Sequence, residues 1–343
     1  MISRLSRSVD KWSSEDMGLM ARVAEDVIQP TGRGPLVAIL LATFNGELYL
    51  QRQLESLVDQ TYQDWRVLWR DDGSSDRSRE IMEIFASAVG PDRCVEAGPR
   101  GARLGAAKSF FALLQQAKEY RLVVFSDQDD VWLPHKLQRA VDHLESQTPG
   151  MPSIYCARQA IVGKGLERRR LSPLPKFGPG FPSALLQNIV TGCTAMLNKE
   201  AVRLINSTQP PENTIHDWWC YIVVAAARGR IIFDPIPVIL YRQHGNNAIG
   251  ASSFIPEAFR ALRRGPTQFL RQLENHVVAL EGLEGLLPPP SLATARKILR
   301  ALSRGRLARI ALMRERGFRR QTCIGNLGMT MWMLASYSCK DGN

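Results

Sequence analysis

Asp127, Asp129 and Asp130 place three carboxylates within four residues, at the end of the apolar run Arg121-Leu122-Val123-Val124-Phe125-Ser126. Repulsion disfavours such a cluster unless a cation or several hydrogen-bond donors compensate it. Oxygen ligands of this kind suit Mg2+ or Mn2+, which bind substrate phosphates beside one or two carboxylates. The same residues also read as a solvated acidic turn capping the next helix, with Pro134 near its start. Asp71-Asp72-Gly73-Ser74-Ser75-Asp76 is equally ambiguous, a ligand-contacting loop or a turn with Ser75 or Asp76 as helix cap. Thr43-Phe44-Asn45-Gly46-Glu47 forms a third polar cluster, and each of the three follows a separate predicted strand. Unrelated turns would not require that coincidence. Asp217 opens a helix in His216-Asp217-Trp218-Trp219, where a carboxylate favoured by the dipole and tryptophans packed in a core suffice as explanations. Arg242 and His244, just past a strand, have the charge and the imidazole that suit diphosphate and metal.

The elements that position these groups alternate. Residues 36–42 form a short continuous apolar run, as a buried parallel strand does, and residues 46–60 carry Leu50, Leu54, Leu57 and Val58 at helical spacing. A strand at 65–70, a helix at 79–88, a helix at 105–119 and a strand at 121–126 continue the pattern. Alternation of this kind predicts right-handed crossovers, a mostly parallel α/β sheet, and ligands outside the carboxyl ends of its strands. Residues 151–182, rich in Pro and Arg, read as a mobile loop near the site. A strand at 189–197, helices at 199–206 and 216–227, and strands at 231–234 and 239–244 complete a domain over 35–250. Residues 1–34 read as a polar extension, and 251–343 as a basic helical region broken at Pro266 and at residues 288–290.

With 343 residues, 45% of them hydrophobic, the chain can bury a substantial core. No long uncharged apolar run or secretory leader is recognised, and the six cysteines are scattered singly. A cytoplasmic protein with reduced thiols is expected. The net charge of +11 attracts anionic partners, and residues 296–320 hold ten Arg or Lys against one acid, Glu315. With Leu299, Leu302, Ile310 and Met313 at roughly helical spacing, this tail suits either an anionic membrane surface or packing on the catalytic domain.

Taken in order and spacing, Thr43-Phe44-Asn45, the 71–76 cluster, Ser126-Asp127-Gln128-Asp129-Asp130-Val131-Trp132, His216-Asp217-Trp218-Trp219 and Tyr241-Arg242-Gln243-His244 resemble glycosyltransferase family 2. These are inverting enzymes of GT-A, Rossmann-like fold, and the closest likeness is to bacterial rhamnosyltransferase-like members that build polysaccharides. The resemblance implies that Thr43, Asn45 and Glu47 line the nucleotide, with Asp72 accepting from the base imide N–H. It implies Asp127 and Asp129 as the DxD pair holding ribose and a Mn2+ or Mg2+ ion, His244 as a further metal ligand, and Asp217 as general base. Arg242, Asp130 and Trp218 become diphosphate or acceptor contacts. The donor implied is a nucleotide-diphosphate sugar, dTDP-rhamnose first and UDP-sugars next, and the acceptor a saccharide or lipid-linked saccharide. Two rival readings are a metal-dependent nucleotidyltransferase, for which residues 43–47 lack a basic Gly-rich phosphate loop, and a non-catalytic basic membrane- or nucleic-acid-binding protein. No nucleic-acid module is present, so nucleic acid is not an expected partner.

Overall fold

The structure, a computed structural model, describes residues 34–244, 257–335 and 337. All of the expected 1–34 extension except Gly34, and the expected boundary near residue 250, lie outside them. β1 (Val37–Thr43), α1 (Glu47–Val58), β2 (Trp65–Asp71), α2 (Ser78–Val89), β3 (Cys94–Glu96), α3 (Ala106–Gln116) and β4 (Leu122–Ser126) follow the expected order, with the short β3 added between the two expected helices. The strands stand in the order β3-β2-β1-β4, all parallel. β1 shows why its sequence lacks polar alternation. Ala38 and Leu40 enter a core cluster with Phe110 and Leu113 of α3, whereas Val37, Ile39 and Leu41 enter another with Leu50, Leu54 and Leu57 of α1.

The second half of the sheet is mixed. β8 (Met196–Asn198) runs antiparallel to β4 and to β6 (Ser153–Val162), β6 pairs in parallel with β9 (Arg230–Arg242), and β5 (Val131–Trp132) closes the edge antiparallel to β9. β7 (Arg168–Leu171) pairs with β6 outside this path. Three expectations need correction here. Residues 151–182 are not one loop, because β6 is a ten-residue, almost wholly buried strand between β8 and β9. Its mid-strand Arg158 and Gln159 disguise it, and they meet Ser172 instead of solvent, Arg158 Nε donating to the Ser172 carbonyl at 2.6 Å. Residues 189–197 are not one strand but a 3-10 turn, Gly192–Thr194, followed by the short β8. Residues 231–234 and 239–244 are not two strands, since β9 runs through Pro235 and Pro237 by shifting register against Ala157, Arg158 and Ala160.

α4 (Lys136–Glu145), α5 (Lys199–Asn206) and α6 (His216–Ala226) cover the sheet. The C-terminal region is helical as expected: α7 (Glu257–Glu281) with a kink at Gly265 before Pro266, α8 (Pro289–Ser303), α9 (Arg306–Leu312) and α10 (Cys323–Met333). Phe269, Leu270, Leu273 and Val277 of α7 and Leu292, Ile298 and Leu302 of α8 share one core with Trp218 and Trp219 of α6. Between them lies buried His276, its Nε2 2.9 Å from Thr214 Oγ1 and its ring edge-on to Trp218. Of the two alternatives for residues 296–320, Leu299, Leu302, Ile310 and Met313 take packing on the protein's own core. Leu302 is buried, and Leu299, Ile310 and Met313 pack against the same core. No helix among the described residues is long and apolar enough to cross a membrane.

Candidate active site

β1 lies between β2 and β4, with Thr43 opposite Asp71 and Leu41 opposite Ser126, so the three polar clusters meet at one sheet edge. Their side chains are spent largely on each other. Thr43 Oγ1 donates to Asp71 Oδ1 at 3.1 Å, Asn45 Oδ1 accepts from Ser75 N at 2.8 Å, and Glu47 Oε2 accepts from Arg77 N at 3.0 Å. Asn45 reaches its partner from φ +47, a left-handed conformation in which Asn is enriched. The middle residue of the acidic turn, which sequence reasoning passed over, ties that turn to the first loop. Gln128 Oε1 accepts from Phe44 N at 2.8 Å and Gln128 Nε2 donates to the Phe44 carbonyl at 2.9 Å. A Cβ on Gly46 would fall 2.3 Å from Gln128 Oε1, so this clasp needs glycine there.

The acidic turn is compensated by more than a cation. Asp130, fully buried, accepts from Arg242 N at 2.9 Å, and burial first, then Asp129 and Asp127, hold its carboxyl well above the usual range. Asp127 is pushed up to about 7 by burial and then by Asp129 and Asp217. Lys136, also buried, donates to the Cys193 carbonyl and lies over the Trp132 ring, 3.3 Å from its centroid. Burial lowers its pKa to about 7, against the pull of Asp130 and Asp127. Arg242 Nε donates to the Asp129 carbonyl at 2.8 Å and its guanidinium sits over Tyr49, so this arginine is a brace of the turn. His244 Nε2 stands 2.7 Å from Asp129 Oδ2, with its ring stacked on Tyr49. Of these supporting residues, Lys136 and Tyr49 left no signal in the motif.

These residues fit a hard divalent ion. Neighbouring ligands on an octahedral Mg2+ or Mn2+ stand about 3 Å apart, close to the Asp129–His244 separation. Asp130 Oδ2 is buried without a hydrogen-bond partner, and an oxygen of Asp127, an oxygen of Asp130 and Cys193 Sγ lie within 4.8 Å of one another. The thiol is a poor member of that group, because burial raises it well above its ordinary pKa and hard ions prefer oxygen. The carboxylates of Asp127 and Asp130 are the better members of that group, and Asp129 with His244 forms a neighbouring pair.

Asp217, in the first turn of α6, is buried, with Oδ2 accepting from Gly192 N at 2.7 Å and Oδ1 from Trp218 N at 2.6 Å. Burial raises its pKa to about 6, opposed by these two N–H groups and by Asn188. The carboxylate is therefore ionised at neutral pH yet more basic than a surface aspartate. Gly192 makes this possible. A Cβ there would lie 2.8 Å from His216 Nε2 and 3.3 Å from Asp217 Oδ2. His216 cannot yield easily, because it is buried and stacked on Phe110 at 4.1 Å, and burial drops its pKa to about 3. Gly192→Ala is therefore expected to lower kcat about tenfold or more by displacing Asp217. The check is steady-state kinetics beside a thermal melt that stays cooperative.

Two expected contacts sit differently. Asp72 is 4% exposed and already accepts four hydrogen bonds, from Arg70 and Ser109 side chains and from Leu104 and Gly105 backbone. Its first role is to lock residues 102–109 onto β2. Trp218 is not placed for an acceptor contact, since its ring is buried in the core and Nε1 donates to the Ala184 carbonyl at 2.7 Å.

The clusters at residues 43–47, 71–76 and 127–130 all fall inside residues 38–205, the stretch matched by the family model described as Glycosyl transferase family 2. This chain carries a glycosyltransferase family 2 domain. The glycosyltransferase is similar to dTDP-rhamnosyl transferase RfbG of Shigella flexneri, at 27% identity over 231 residues, 65% of this chain and 78% of RfbG. It is also similar to the UDP-Glc:alpha-D-GlcNAc-diphosphoundecaprenol beta-1,3-glucosyltransferase WfgD of Escherichia coli, at 26% identity over 166 residues, 47% of this chain and 59% of WfgD. Its fold resembles S. aureus TarS 1–349 solved with UDP-GlcNAc, with TM-score 0.56 and 18% identity over 77% of this chain and 70% of that one. Membership of the family leaves no place for the nucleotidyltransferase and non-catalytic readings. Asp217, Arg242 and His244 lie beyond the matched stretch.

Proposed function

We propose that the enzyme moves a sugar, with inversion, from a nucleotide-diphosphate donor to a hydroxyl of a saccharide or lipid-linked saccharide in polysaccharide synthesis. dTDP-rhamnose is the leading donor, on the similarity to RfbG. A diphosphate-linked lipid acceptor is suggested by the name of WfgD. One observation carries the reading. Asp217 is a buried, hydrogen-bonded carboxylate, raised toward neutrality and close enough to the acidic turn for Asp127 to feel its charge.

In this mechanism the carboxylates of the acidic turn, Asp127 and Asp129 first, with His244 beside Asp129, would hold Mn2+ or Mg2+, which when bound would supply positive charge for the departing diphosphate. The loop of Thr43, Asn45 and Glu47, braced by the 71–76 loop, forms the nucleotide wall, and Asp127 also faces the ribose. Asp217 takes the proton of the acceptor hydroxyl as its oxygen bonds to the anomeric carbon. The bond from that carbon to the diphosphate oxygen breaks on the opposite face, so one displacement inverts the centre and the nucleoside diphosphate leaves. Arg242 keeps the turn in place through Asp129 and Asp130.

Calorimetric titration with dTDP and with UDP, each with Mn2+ and with EDTA, tests the donor site. Binding that needs Mn2+ and prefers dTDP is the expected result. Binding of neither nucleotide with the metal present would overturn this assignment of the site.

A further inference from the structure

α10 is a helix without a single charged residue, Cys-Ile-Gly-Asn-Leu-Gly-Met-Thr-Met-Trp-Met. Met329, Trp332 and Met333 fill its inner face, while Ile324, Leu327 and Met331 stand outward at 68%, 65% and 64% exposure. Their spacing of three and four residues makes one stripe, which Leu334 extends just past the helix. α9 packs beside it, Arg309 Nη2 donating to the Ala335 carbonyl at 2.9 Å. Contiguous apolar surface of this kind marks a contact. Its surroundings are basic. Arg314, Arg316 and Arg319 are exposed on the segment leading into α10, whose one acid, Glu315, is paired with Lys297.

The start of α10 is also linked to the segment beside the proposed base. Gln321, two residues before α10, donates from its backbone to Gln187 Oε1 at 3.0 Å, and the next residue, Asn188, lies near enough to the Asp217 carboxylate to help hold its pKa down. Gln321 further clasps both backbone groups of Phe177, fixing the 173–182 segment, with its exposed Leu174 and Lys176, against the same end of α10.

We propose that the α10 face is a docking surface for an anionic lipid bilayer, which holds the enzyme with its acceptor side toward the membrane. The apolar stripe enters the headgroup boundary and the flanking arginines meet lipid phosphates, the division of labour of an interfacial helix. The purpose, presenting a lipid-linked acceptor to Asp217, rests on the function proposed above; the docking itself does not.

The test is co-sedimentation of the full chain with phosphatidylglycerol-containing vesicles and with pure phosphatidylcholine vesicles, at low and high salt. Wild type is expected to bind the anionic vesicles, more weakly in high salt. The triple variant Ile324→Ser, Leu327→Ser, Met331→Ser is expected to bind about tenfold more weakly or worse, with unchanged melting and unchanged Mn2+-dependent nucleotide binding. Arg314→Gln, Arg316→Gln, Arg319→Gln should lose the preference for anionic over neutral vesicles. No vesicle binding by wild type, or equal binding by the serine variant, overturns the proposal. So does light scattering that shows a wild-type dimer made monomeric by the serine variant without vesicle binding, which assigns the face to a second copy of the chain. Nucleotide binding is read separately, so failure of docking and failure of the donor site are distinguishable.

Discussion

Asp217→Asn is expected to lower kcat by about a hundred- to ten-thousandfold, the range typical of losing a general base, while Mn2+-dependent nucleotide binding is retained. The amide keeps the size of the carboxylate and an oxygen to accept from Gly192 N, so the 192–194 turn should hold, while its NH2 faces Trp218 N and forfeits that one hydrogen bond. What it lacks is the negative charge that takes the proton. The stability effect has the opposite sign. Burial raises Asp217 to about 6, so the folded protein binds more protons than the unfolded chain between about pH 4 and 6, and stability from this group is lost as pH rises through that window. A neutral side chain removes that loss and offsets the hydrogen bond from Trp218 N that Asn cannot accept, so the variant should melt close to wild type at pH 7.5. For wild type, kcat should rise with pH through about 6 and then level. Surviving transfer with abolished nucleotide binding would assign Asp217 to the donor side, and an acid limb absent above pH 5 would exclude it as the titrating base.

Much of the fold was legible because it follows from local pattern. β1 and β4 are unbroken apolar runs, and α1 repeats leucines on one face, so the parallel half of the sheet and the convergence of three strand ends could be read directly. The mixed half could not. β6 carries Arg158 and Gln159 at mid-strand, and their partners in Ser172 and Cys193 come from distant sequence. β9 tolerates two prolines because its register slips at that point. Conversely, the apolar stretch at 189–197 resembles a strand, but its backbone is used to hold Asp217 through Gly192. The C-terminal region was left ambiguous for a similar reason. Leu299 and Leu302 have helical spacing, yet spacing does not say whether the face so marked meets lipid or the protein's own core.

In the site, residue types spoke for the carboxylates and were silent on what neutralises them. Repulsion among Asp127, Asp129 and Asp130 argues for a cation, but Lys136 supplies one from six residues beyond the turn, and burial keeps Asp130 protonated to a higher pH. A divalent ion would thus be one contributor to a site already partly balanced. Gln128 and Gly192 were invisible for a different reason. They act by backbone contacts whose partners, Phe44 and Asp217, are 84 and 25 residues away.

Asp72→Ala is expected to destabilise the protein by about 3–5 kcal/mol, the loss typical when one partner of a buried ion pair is removed. Arg70 is 1% exposed, and besides Asp72 it serves the Ser109 hydroxyl and the carbonyls of Pro99 and Ala102. Without the carboxylate its charge stays buried among neutral acceptors, and the backbone N–H groups of Leu104 and Gly105 lose their acceptor at the start of α3. The pH dependence has a definite sign. Burial pushes Asp72 up, but Arg70, the two N–H groups and Ser109 together outweigh it and leave its pKa lowered. Its contribution is therefore present above the unfolded aspartate value of about 4 and is lost as pH falls through the lowered folded value. Chemical denaturation at neutral pH and in acid should show the difference between wild type and Asp72→Ala shrinking as pH drops. A residue whose work is to recognise the base would behave otherwise: its loss would weaken nucleotide binding and leave the denaturation midpoint in place. Asn at this position separates the two roles further. It can still accept from Leu104 or Gly105 but cannot neutralise Arg70, so an intermediate stability loss is expected for Asp72→Asn. Stability equal to wild type in both variants would show that the Arg70 pair adds nothing to the fold and return Asp72 to the nucleotide.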